Sequence, residues 1–135
     1  MTKVFLDTNI VIDLLDKREP FYIEAVALFT LAYKKKIALY VSPMTYATTS
    51  YLLRKHGKDN TKILLRNFRQ LSKVTVADEK VVDDALASSF NDYEDALQYY
   101  SALSKKVNVI VTRNTKDFSP AKIPVLTPKE FLAQL

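Results

Sequence analysis

At 135 residues, 48% hydrophobic and 26% charged, the chain has the size and balance of one globular domain, expected to span 1–135. It has no cysteine, which excludes disulfides, thiolate zinc sites and cysteine nucleophiles. Its single glycine excludes a glycine-rich phosphate loop or dinucleotide fingerprint, so ATP, GTP and NAD chemistry are not expected. The net charge of +5 is uneven: residues 1–75 hold 13 Lys+Arg against 6 Asp+Glu, and residues 76–135 hold 7 against 9. A basic half joined to an acidic half suits a polyanion-binding surface beside a cation-binding site, although asymmetry by chance gives the same count.

Short apolar runs alternate with longer helical patterns. The runs are 4–6, 38–41, 74–76, 108–111 and 125–126, continuous rather than alternating, as strands buried on both faces of a parallel sheet require. Helices are predicted over 20–35, 43–56, 59–72, 79–90 and 92–106, with a last one from Pro128. Phe21, Ala25, Leu28, Phe29 and Ala32 recur at helical spacing, as do Val82, Leu86 and Phe90. Strands separated by helices predict an α/β fold, a three-layer α/β/α sandwich with a parallel sheet of about five strands.

Chemistry gathers at three places. Asp7 directly follows the first strand, in Leu6-Asp7-Thr8-Asn9, and open parallel sheets hold ligands at the carboxyl ends of their strands. As an alternative, Asp7 or Thr8 caps a helix beginning near Ile10. Asp92 and Asp95 open a late helix, and residues at that spacing share one face. They suit an N-cap and its reciprocal N3 residue equally well, but no cation stands between Asn91 and Ser104 to offset them. Finally, Val111-Thr112-Arg113-Asn114 runs on to Asp117, where Thr112, Asn114 and Asp117 are candidates to hold a cation or its water, or to build a turn before Pro120. An oxygen-only cluster selects a hard cation, Mg²⁺ or Mn²⁺, and such sites hydrolyse phosphodiesters. Asp7, Asp92, Asp95 and Asp117 are therefore expected to converge into one cation-holding pocket. His56, the only histidine, reads as an exposed loop residue rather than a general base.

Lys58, Lys62, Arg66, Arg69 and Lys73 step along the 59–72 pattern as one cationic stripe, extended by Arg54 and Lys55. Such a stripe contacts phosphates without reading sequence, or is simply a solvated face. No run is long enough for a secretory core or a membrane span, so the expectation is a soluble, cytoplasmic protein.

Taken in order, Phe5-Leu6-Asp7-Thr8-Asn9, Asp95-Ala96-Leu97, Val111-Thr112-Arg113-Asn114 with Asp117-Phe118, and Pro124-Val125-Leu126-Thr127-Pro128 resemble the PIN-domain family, which includes VapC-type toxins. The resemblance covers essentially the whole chain. It implies a metal-dependent ribonuclease acting on single-stranded RNA, a cognate antitoxin and frequent homodimers. It makes Asp7, Asp95 and Asp117 site acids, with Asp92 matching a branch that carries paired acids. Asn9, Thr112 and Asn114 become polar supports, and Arg113 joins the RNA-contacting cations. One departure stands out. The glutamate most members carry on the helix after the second strand is absent from Ser42-Pro43-Met44-Thr45-Tyr46-Ala47-Thr48, where Thr48 holds its place. That leaves a second expectation, a PIN-like module that binds RNA or protein with little or no cleavage.

Overall fold

A computed structural model describes residues 1–135. Five parallel strands form one sheet, β1 (Thr2–Leu6), β2 (Ile37–Val41), β3 (Ser72–Val74), β4 (Val109–Val111) and β5 (Val125–Leu126), in the order β3-β2-β1-β4-β5. Seven helices connect or follow them: α1 (Thr8–Leu15), α2 (Tyr22–Tyr33), α3 (Pro43–Leu53), α4 (Lys58–Leu71), α5 (Glu79–Leu86), α6 (Tyr93–Leu103) and α7 (Pro128–Ala133). This is the layered α/β architecture that the unbroken apolar runs predict. No helix is long and apolar enough to cross a membrane.

Alternation along each strand explains why those runs are apolar throughout. Val4, Leu6, Leu39, Val41, Val109 and Val111 point to one face, where α1, α2, α4 and α7 supply Val11, Leu28, Phe68 and Phe131. Phe5, Tyr40 and Ile110 point to the other, against Tyr99 and Ala102 of α6 and Phe118. Both faces are covered at the centre of the sheet, so Val4–Leu6 and Val109–Val111 are apolar at every position.

Most ends shift by one to three residues from the sequence reading, and two boundaries change the place of a named residue. The third strand begins at Ser72 rather than 74, directly where α4 ends, so Lys73 lies on β3 and leaves the helical stripe. The helix predicted over 79–90 stops at Leu86. Phe90 keeps its apolar role from the loop, packing its ring 5.3 Å from that of Tyr99 and 6.1 Å from that of Phe118.

The strand order fixes where a ligand can sit. From β1 the chain steps outward through β2 and β3, then returns to the other side of β1 to lay down β4 and β5. The direction reverses between β1 and β4, and the carboxyl ends of strands at such a reversal frame a crevice.

Candidate active site

Asp7 and Thr112 are the first residues beyond β1 and β4, so register alone brings them together at that crevice. The Asp7 N–H donates to Val111 O at 3.0 Å, which holds the two strand ends in line. Thr112 Oγ1 donates to Asp7 Oδ2 at 2.7 Å, and the Thr8 N–H donates to Asp7 Oδ1 at 2.8 Å. Asp7 is thus both the N-cap of α1 and a carboxylate fixed at both oxygens. Burial pushes its carboxyl above the usual range; the Thr112 and Thr8 hydrogen bonds and Gln98 pull it down, and Asp117 pushes it up.

Asp92 and Asp95 come from the start of α6. Asp92 Oδ1 accepts from the Asp95 N–H at 3.0 Å as the N-cap, but Asp95 returns no bond to the Asp92 backbone. The Asp95 carboxylate is therefore left over by the cap. It is pushed up to about 7, first by burial and then by the charges of Asp92, Asp7, Asp117 and Glu94. Asp117 sits in a single 3₁₀ turn, Thr115–Phe118, with its N–H donated to Asn114 O at 3.0 Å. None of the four carboxylates forms an ion pair.

The acids thus share one electrostatic field without closing on one another. No group of three or more acidic or histidine side chains is drawn in tightly enough to enclose an ion as the chain stands. The tight convergence expected of the four acids is not present in the chain by itself. Two features suit a hard cation. Every polar donor atom facing the crevice from these acids is an oxygen. And Asn9, whose Nδ2 lies 3.4 Å from Asp7 Oδ2, has a buried Oδ1 with no hydrogen-bond partner. An orphaned buried acceptor beside a carboxylate is a place where a cation or its water satisfies both.

Behind Asp7 lies a polar cluster that the sequence reading did not anticipate. Gln98, fully buried on α6, accepts from Ser42 Oγ, and its Nε2 reaches Thr8 Oγ1 at 3.1 Å and Thr45 Oγ1 at 3.4 Å. Thr8 and Thr45 hydroxyls are 2.9 Å apart. One side chain therefore ties the starts of α1 and α3 to α6, one turn beyond Asp95. The i, i+3 spacing of Asp95 and Gln98 was the available signal. On α3 it is Ser42 and Thr45 that reach this cluster; the helix carries no acid, and Thr48 lies a further turn along.

A buried ion pair is a second feature that sequence spacing does not announce. Asp13, 1% exposed in the apolar run of α1, receives Arg113 Nε at 2.8 Å and Nη2 at 3.3 Å. Arg113 is thereby separated from the cations of α4, and its guanidinium lies 3.9 Å from the Phe21 ring centroid. Burial pushes Asp13 up even with Arg113 beside it.

Lys58, Lys62, Arg66 and Arg69 stand exposed along α4. Arg54 stacks 3.7 Å from the Tyr51 ring. Lys55 is paired with Asp16 at 3.0 Å, and His56 Nε2 lies 3.1 Å from the other oxygen of the same carboxylate. Asp16 is held below the usual range by His56, Lys55 and Arg18, whose pull outweighs its burial. His56 therefore belongs to a surface ion cluster at the far end of α1, not to the acid crevice.

The PIN domain family model matches residues 3–116. Ribonuclease VapC1 of Aquifex aeolicus (strain VF5) is 28% identical over 134 residues, covering 96% of this chain and 92% of that protein. Among solved structures, a toxin-antitoxin complex from Klebsiella pneumoniae aligns with a TM-score of 0.67 at 24% identity, covering 93% of this chain and 97% of that one. FitAcB from Neisseria gonorrhoeae aligns at 0.67 and 18%, covering 93% and 98%. VapBC2 from Rickettsia felis, bound to a DNA fragment from its promoter, aligns at 0.65 and 20%, covering 93% and 97%. At these identities the three structures show a shared fold.

Proposed function

Because this chain belongs to the PIN-domain family, we propose that it is a metal-dependent endoribonuclease that hydrolyses phosphodiester bonds of single-stranded RNA as the toxin of a toxin–antitoxin pair. The observation that carries the reading is the set of Asp7, Asp92, Asp95 and Asp117, which repel one another at the strand-order reversal with no lysine or arginine paired to any of them. A cluster of that kind is stabilised by a divalent cation, Mg²⁺ or Mn²⁺. When bound, the cation supplies an activated water and charge stabilisation at the scissile phosphate.

The chain's own residues do the positioning. Thr112 and the Thr8 N–H fix both oxygens of Asp7, so one ligand is oriented before anything binds. Asp95, freed by the one-sided cap, and Asp117, on its short turn, add their charge to the same field from two other segments. Asn9 Oδ1 offers a further acceptor, and Thr112 and Asn114 hold the strand end that carries them. Water adds to phosphorus as the bond to the leaving oxygen breaks, without a covalent enzyme intermediate. Lys58, Lys62, Arg66 and Arg69, with Arg54 and Lys55, supply sequence-independent phosphate contacts.

The relatives' names support this reading: one is called a ribonuclease, and one of the solved structures is a toxin-antitoxin complex. A cognate antitoxin is the protein partner that follows, in a cytoplasmic setting. A homodimer is the assembly that the same family reading gives. Purified protein with Mn²⁺ should cut single-stranded RNA, and Asp7→Asn combined with Asp95→Asn should abolish cutting; equal cutting by both proteins would sink the proposal.

The absence of an acid on α3, together with the open spread of the carboxylates, favours one other reading, a PIN-like binding module of low activity. RNA binding that needs no metal and leads to no cleavage would select it.

A further inference from the structure

Next to the acid crevice is a cavity of about 320 Å³, among whose walls are Phe21, Glu24, Arg113, Asn114 and Lys129. The volume is at the low end of small-ligand pockets, which run about 300–1,000 Å³, and so suits one flat heterocycle rather than a base pair.

Its central feature is a guanidinium that cannot swing away. Arg113 has Phe21 against its plane at 3.9 Å and Asp13 along its edge at 2.8 and 3.3 Å, yet its side chain remains 26% exposed. A carboxylate as buried as Asp13 is expensive, and a buried ion pair is a weak stabiliser. What the pair does achieve is a planar cation held at one place. A pinned guanidinium is a stacking surface for an unpaired base, and little side-chain freedom is lost when a base lands on it.

The cavity also connects to the reacting end of the sheet. Arg113 directly follows Thr112. The Asn114 N–H donates to Thr112 Oγ1 at 3.1 Å, and Thr112 donates to Asp7 at 2.7 Å. Two hydrogen bonds therefore separate a cavity wall from the carboxylate at the centre of the site.

We propose that Phe21, Glu24, Arg113 and Asn114 form a nucleobase subsite that takes one unpaired base flanking the cleaved phosphate and prefers an amino-bearing base to uracil. This rests on the ribonuclease reading. The base stacks on the exposed part of Arg113. Glu24 accepts hydrogen bonds from the base edge. Guanine presents adjacent imino and amino donors to a carboxylate, adenine and cytosine present an amino group, and uracil offers only its N3–H, flanked on both sides by carbonyl oxygens that a carboxylate repels. Lys129 is placed to meet the backbone phosphate of that nucleotide.

The test uses fluorescent single-stranded oligouridines with one central U, C, A or G, bound to the full chain in EDTA so that nothing is cut. The wild-type protein should bind the guanosine-containing strand at least roughly fivefold more tightly than the all-uridine strand, as a charge-assisted hydrogen bond allows. Glu24→Ala should level the four affinities, and Arg113→Lys, which keeps the charge but loses the plane, should weaken all four. Glu24 is only half-buried, so its variant keeps the test readable even where Arg113→Lys misfolds. No discrimination by the wild type, or the same ranking in Glu24→Ala, would overturn the subsite. Mn²⁺-dependent cleavage is measured in parallel: a flat ranking with cleavage intact defeats the subsite alone, and a ranking without cleavage defeats the ribonuclease reading alone.

Discussion

Thr112 Oγ1 donates to Asp7 Oδ2 at 2.7 Å, and this bond joins the ends of two neighbouring strands whose order reverses between them. Thr112 is fully buried, so no water replaces its hydroxyl. Thr112→Val keeps the shape and removes the bond. It should destabilise the fold by about 1–3 kcal/mol, the cost of an unsatisfied buried acceptor, and should reduce cleavage through a misplaced Asp7. Urea unfolding and cleavage rates check this; a variant with unchanged activity would deny Asp7 its need for the threonine.

Asp13 and Arg113 form a pair in which only the carboxylate is fully buried. Arg113→Met strands that carboxylate and should cost about 3–5 kcal/mol. Adding Asp13→Leu should recover much of the loss, because an apolar pair removes the buried charge altogether. A double-mutant cycle by denaturant unfolding reads the coupling, and additive losses would show that the two side chains do not act as a unit.

Gln98 satisfies hydroxyls from two other helices. Gln98→Leu leaves Ser42, Thr45 and Thr8 short of partners, at about 1–3 kcal/mol. Because Gln98 lies one turn from Asp95 and pulls the Asp7 carboxyl down, the variant should also bind Mn²⁺ more weakly, where a purely structural role would lower the melting temperature only.

Asp95 gives a pH dependence of definite sign. Its folded carboxyl, pushed up to about 7 from an ordinary 3.8, holds a proton more tightly than in the unfolded chain. The stability it contributes is complete below the unfolded value and is lost as pH rises through about 7. Metal-free protein should therefore melt at lower temperature as pH is raised from the ordinary 3.8 to about 7, with the fall levelling off above that, and Asp95→Asn should flatten the slope. Equal slopes in the two proteins would remove the shared field from the account.

Much of the fold is legible in the sequence because it depends on short-range pattern. Val4-Phe5-Leu6 and Val109-Ile110-Val111 are apolar at every position, and only a sheet covered on both faces asks for that. The junction of α4 with β3 and the stop of α5 are less legible: Ser72 enters β3 with no turn after Leu71, and Phe90 keeps helical spacing while packing from a loop. At the site, the acids declare themselves by following strands or opening a helix. Gln98 and Asp13 do not. A glutamine among Tyr99 and Leu97, or an aspartate among Ile12 and Leu14, shows its partner only when distant segments are folded together, as Ser42 and Arg113 are.

The central claim is that four acids, distant along the chain, form one cation-holding pocket. Calorimetric titration of the metal-free protein with Mn²⁺ tests it most directly. A single class of site is predicted, lost in Asp7→Asn and in Asp95→Asn and weakened in Asp92→Asn and Asp117→Asn. Binding that is absent from the wild type, or that survives both Asp7→Asn and Asp95→Asn unchanged, would contradict it.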